Sequence, residues 1–100
     1  DGVIGVYSLY NVDQATPMDG FSSIPSSQLT ASTVLSSGGW CIAGLLASAD
    51  PGAISTGTLT FSSNSNAIVG IAFNNTTGVI AWSGTAANGR GLLIGNVRQA

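Results

Sequence analysis

"VGIAFNNTTGVIAWSGTAANGRG", residues 69–91, decides the fold. Apolar and small residues alternate through Ala67 to Asn74 and again through Gly78 to Ser83. A period of two is what a half-buried strand requires. Asn75-Thr76-Thr77 between them reads as a short hairpin loop. Asn88-Gly89 is the pair that favours a type I′ turn, and Gly91 to Val97 reads as the last strand. Ile80 and Trp82 share the larger apolar face of their strand and are expected to point inward, with Ala81 and Ser83 outward. The whole stretch holds one charge, Arg90, where a soluble surface hairpin normally carries Lys and Glu on its outer face.

Working outward, the same period recurs. Val3 to Tyr10 alternates, and Thr56 to Ser62 gives a Thr-rich alternating strand. Gln28 to Leu35 is a weaker strand. Trp40 to Ser48 is continuously apolar, which fits a central strand buried on both faces or a short helix; the strand is preferred. Asn11 to Ser27 reads as loop, punctuated by Pro17, Gly20 and Pro25. Gly38-Gly39, Asp50-Pro51-Gly52 and Ser63-Asn64-Ser65-Asn66 read as breaks and turns. The expected fold is all-β: one domain over residues 1–100, a compact antiparallel β-sandwich or small barrel of about six to seven strands, jelly-roll-like.

Composition excludes several functions. Only 6% of the 100 residues are charged, against a usual share of about 25%. Lys, Glu and His are absent, and Arg90 and Arg98 stand alone against four Asp. Two cations cannot neutralise a run of phosphates, so no nucleic acid partner is expected. No basic face exists for an anionic membrane, and no apolar run approaches the ~20 residues of a spanning helix. The chain opens at Asp1 with no initiator Met or signal peptide, which is read as a processed product or an excised domain.

Chemistry-bearing groups are few. A Ser nucleophile has no His or Lys to activate it, so no catalytic residue is assigned and no enzyme activity is expected. Cys41, flanked by Trp40 and Ile42, is read as a buried, inert thiol. One Cys without His makes no zinc site. Asp13 and Asp19 could contribute to a calcium site, but turn-forming carboxylates are the preferred reading. No metal and no cofactor are expected. Glycosylation sequons begin at both Asn74 and Asn75, with meaning only in a eukaryotic secretory pathway.

Ser, Thr, Asn, Ala and Gly take the place of surface charge. Such a surface repels nothing and packs flat, and strand edges without Lys or Pro invite pairing. These features favour a subunit of an extracellular or virion assembly. The stretch "TTGVIAWSGTAANGRGLLIG" (residues 76–95) resembles the strand–turn–strand segment of the small head-decoration proteins of tailed bacteriophages. More loosely, the whole chain resembles small β domains of virion surfaces: cement proteins, fibre tips and protruding capsid domains. The resemblance implies a homo-oligomer, a trimer or higher, clamped onto other virion proteins without catalysis. The expected function is therefore a non-enzymatic structural subunit or domain of a viral particle, which the resemblance implies is a phage particle. The alternative is a carbohydrate-binding or adhesin domain that attaches to host glycans. There Trp82 would stack on a sugar ring, and Asn74, Asn75, Asn88 and Arg90 would hydrogen-bond its hydroxyls.

Overall fold

Alternation along each strand sorts small and apolar side chains onto one interior. The computed structural model describes residues 8–24, 27–64 and 68–100, apart from the side chains of residues 61, 63 and 64. The strands are β1 (Met18–Ile24), β2 (Thr30–Ser32), β3 (Trp40–Ala47), β4 (Ile54–Thr56), β5 (Thr58–Asn64), β6 (Ile68–Asn74), β7 (Val79–Trp82) and β8 (Gly89–Val97). A 3-10 turn, Ala86–Asn88, leads into β8. The large sheet runs β1-β8-β3-β6-β5 and the small one β2-β7-β4, with every pairing antiparallel. The protein is an all-β sandwich.

The pairs β1·β8, β2·β7 and β3·β6 are nested. The chain is thus one long antiparallel ribbon rolled upon itself, which is the jelly-roll order. One strand departs from it: β5 pairs with β6 at the edge of the large sheet instead of joining β4 in the small one.

The core lies between the sheets. On β3 the buried positions are Cys41, Ala43, Leu45 and Ala47. On β8, Leu92, Ile94 and Asn96 face the same interior, and on β6, Gly70, Ala72 and Asn74 do so. The small sheet answers with Ala31, Ile80 and Trp82. Large side chains therefore meet small ones across the gap, as close packing requires. Trp82 is 4% exposed, and its ring lies against Gly70. A Cβ on Gly70 would stand 2.9 Å from Cζ2 of the indole, so any larger residue there would displace the ring.

Several local expectations are corrected. The region expected as loop, residues 11–27, contains β1. Asp19 and Ser22 flank a register shift, and Gly20 between them has φ +62°, the left-handed geometry of a glycine bulge. The punctuation marks a bulged edge strand. Thr56–Ser62 is not one strand, because Gly57 separates β4 from β5 and the two lie in different sheets. β6 and β7 likewise belong to different sheets, so Asn75-Thr76-Thr77 is a corner and not a hairpin loop. Asn88-Gly89 is no type I′ turn: Asn88 ends the 3-10 turn, and Gly89 has φ −67°. The strand expected at Val3 to Tyr10 lies mostly outside the described residues; Ser8, Leu9 and Tyr10 are not in a strand. The turn at residues 63–66 is also partly outside them, and Ser63 and Asn64 end β5.

Replacing Trp82 with Ala removes the largest side chain between the sheets. Urea denaturation of Trp82→Ala should show a loss of about 3–5 kcal/mol. A loss under about 1 kcal/mol would show that the ring does not hold the sheets together.

Candidate functional site

Asn74 ends β6 and sends the chain into the other sheet. Its Oδ1 accepts the backbone N–H groups of Thr76 (2.8 Å) and Thr77 (3.0 Å). Its Nδ2 donates to Thr77 Oγ1 (2.9 Å) and to the Val79 carbonyl (2.8 Å). The amide has no capacity left for a ligand, and its side chain is buried. Cys41 lies beside it, and its thiol donates to the Thr77 carbonyl at 3.5 Å. Burial pushes the Cys41 thiol pKa up, so it stays protonated and unreactive at neutral pH.

A second polar cluster ties the two ends of the described chain together. Asn96 is fully buried at 0% exposure. It accepts the Ser36 N–H at 3.2 Å and donates to Asp19 Oδ1 at 2.8 Å. Arg98 Nη1 donates to Asp19 Oδ2 at 3.1 Å, and Arg98 Nε lies 3.9 Å from Asp13 Oδ2. Asp13 Oδ1 accepts the N–H groups of Ala15 and Thr16, a short Asx-type turn. The two carboxylates thus flank a guanidinium. A cation between them would have to displace Arg98, which opposes the calcium arrangement. No group of three or more potential metal ligands occurs among the described residues. Asn96, Ser36 and Arg98 were not singled out in the sequence, where nothing marks them as neighbours of Asp19.

Both carboxylates titrate below their ordinary value of 3.8. For Asp13 the cause is the N–H groups of Thr16 and Ala15; for Asp19 it is first the Asn96 amide and then Arg98. A depressed folded-state pKa stabilises the fold above the unfolded value, and that stabilisation is lost as pH falls through the folded one.

The residues expected to hold a glycan do not converge. Trp82 is in the core, so its faces are unavailable for stacking. Asn74 is consumed by the corner, and Asn75 beside it is exposed. Asn88 and Arg90 stand at the far end of the sheet. Along β3, Cys41 pairs with Asn74 while Ala47 pairs with Gly89, and that interval of strand spans roughly 20 Å. Arg90 Nη1 donates to the carbonyls of Ala87 (2.8 Å) and Gly89 (2.9 Å). Neighbours in sequence have been placed at opposite ends of the sandwich.

The remaining candidate is a surface. β3 lies at the centre of the large sheet, but only one of its two apolar faces is covered by the small sheet. The other carries Ile42 and Leu46, flanked by Ile71 of β6, Leu93 of β8, and Phe21 and Met18 of β1. Shallow depressions run between them over Gly44, Gly91 and Gly95. Such a face is suited to apolar contact, and the polar side chains at its edge are Ser22, Ser23 and Arg90. The sequence signal was present in the unbroken apolar run of β3, but both of its faces were expected to be covered.

Compared with protein-family models, curated proteins and solved structures, the chain shows no significant match to any.

Two outcomes follow from the polar clusters. Asn74→Ala should cost about 1–3 kcal/mol in denaturation, because the Thr76 and Thr77 N–H groups lose their acceptor. The melting temperature should hold from about pH 7 to about pH 5 and fall below about pH 4. Asp19→Asn should flatten that acid limb, and an unchanged limb would remove Asp19 from its cause.

Proposed function

We propose that the chain is a non-enzymatic, self-associating structural subunit or domain of a viral particle, where it forms or stabilises the outer surface. The resemblance of residues 76–95 favours a phage particle. The observation that carries the reading is a surface almost without charge: six charged side chains in 100 residues, and an uncovered apolar face on the large sheet. A monomer exposed to water gains nothing from such a face. A subunit buries it against a neighbour.

Jelly-roll order is used by viral capsid domains and by lectins alike. It is compatible with the reading but does not choose it, since fold and function separate freely. The choice comes from the side chains. Burial of Trp82 and the closed hydrogen bonding of Asn74 remove the stacking ring and one polar contact of the glycan alternative. The lack of any His, Lys or Glu, with Asp13 and Asp19 engaged by Arg98, weighs against hydrolysis.

The test is fractionation. In a lysate where the virus propagates, the chain should co-sediment with intact particles through a density gradient. Antibody against it should decorate their outside. Recovery in the soluble fraction alone would overturn the reading.

A further inference from the structure

An antiparallel sheet with one wet face normally alternates apolar inside and polar outside. The large sheet does not. On β3, β6 and β8 the positions facing away from the core include Trp40, Ile42, Leu46, Ile71, Phe73 and Leu93, and the one charged residue on these three strands is Arg90 at the start of β8. Trp40 and Phe73 stack on one another at 4.4 Å between ring centroids, so part of this face is already ordered. Phe21 (70% exposed), Leu93 (60%), Leu46 (49%) and Met18 (43%) project from it.

The face has relief. Nothing stands within 4 Å of where a Cβ would lie on Gly44 or Gly91. Gly44 pairs with Leu93 on one side and Ile71 on the other, and Gly91 pairs with Leu46. Each depression is therefore bordered by a projecting Leu or Ile. A face with knobs beside holes is complementary to its own copy turned about a two-fold axis.

We infer that this face seats the same face of a second copy, sheet against sheet, with Leu46 and Leu93 of each copy entering the Gly44–Gly91 depressions of the other. The inference rests on the reading of the chain as a self-associating subunit, and it names the surface that does so. Size supports it. With strands about 4.8 Å apart and about seven residues long, the face measures roughly 600 Å². That is at the upper limit of what a monomer leaves exposed. With its rim it approaches the ~800 Å² per partner of a stable interface. Charge supports it too. The one charge at the border of the depression is Arg90, at the start of β8, and its guanidinium is turned to the Ala87 and Gly89 carbonyls; β3, β6 and β8 carry no carboxylate for a basic partner to pair with. Stacked sheets pack about 10 Å apart, the spacing at which single side chains interdigitate.

Sedimentation over about 1 to about 100 µM should show a reversible dimer of the wild-type chain. Leu93→Asp should raise the dissociation constant roughly a hundredfold or more, since it places a bare carboxylate at the centre of the contact. Its melting temperature at high dilution should stay near that of the wild type, because Leu93 is exposed in the monomer. Leu93→Cys should give a covalent dimer with a short bis-maleimide. Thr30→Cys, exposed on the small sheet, should not, and Cys41 is buried beyond reach. A wild type that stays monomeric throughout would overturn the inference. Association that survives Leu93→Asp and cross-links through Thr30→Cys would also overturn it, yet leave the particle subunit standing if co-sedimentation holds. A monomer that instead binds neutral phosphatidylcholine vesicles through Leu93 would replace the second copy with lipid.

Discussion

Asn74 sets the course of the chain. By accepting two backbone N–H groups of the loop and donating to the Val79 carbonyl at the start of β7, it fixes the corner after β6. Without that corner the alternating stretches on either side would pair with each other as a hairpin in one sheet. With it, β7 crosses to the small sheet and takes Ile80 and Trp82 with it. The indole then comes down on Gly70 of the strand the chain has just left. Closure of the two sheets thus depends on one amide whose four hydrogen bonds go to Thr76, Thr77 and the first residue of β7.

The consequence is an inverted distribution of bulk. Where Ile80 and Trp82 of the small sheet come down, the large sheet meets them with small residues, and elsewhere it adds Leu45, Leu92 and Ile94 to the core. Ala43, Ala47, Ala72 and Gly70 line the inside of the large sheet. Its Trp, Phe and most exposed Leu residues are left on the outside. Folding one copy buries the inner face and leaves Leu46, Leu93 and Phe21 of the outer face in water. Burial of such a face is worth about 25 cal/mol per Å², and association of copies is the step that would recover it.

What was legible in the sequence was local. The period of two identified β6, β7 and β8 close to their observed limits, and the unbroken apolar run identified β3; alternation placed Ile80 and Trp82 inward, while Ala81, expected outward, is buried as well. It failed where pairing partners decide the outcome. β1 carries a bulge that disrupts the alternation, so it resembled a loop until β8 was found beside it. Asn-Thr-Thr between two good strands is compatible with a hairpin and with a corner. Only the buried partners of Asn74 distinguish them. The residues named for the glycan alternative lie apart for the same reason. Trp82, Asn74, Asn75, Asn88 and Arg90 are close in sequence, but the crossover and the return along β8 put them in the core and at opposite ends of the sheet.

A sheet that is apolar on both faces has a register problem. A one-residue slip exchanges its faces, and here the exchange would put leucines where alanines were without exposing a charge. Hydrophobicity alone distinguishes these registers weakly. The polar row does it instead. Asp19, Asn96, Cys41 and Asn74 lie at one level across β1, β8, β3 and β6, each paired with the next. Slipping β8 by one residue would turn Asn96 out of the interior and strand the Ser36 N–H and the Asp19 carboxylate that it serves. Leaving the half-buried Ser36 N–H without its acceptor costs about 1 kcal/mol, which favours the observed register. The buried amides do for this sheet what a charged outer face does for an ordinary one. They fix which face is the core and leave the other free to be flat, uncharged and apolar.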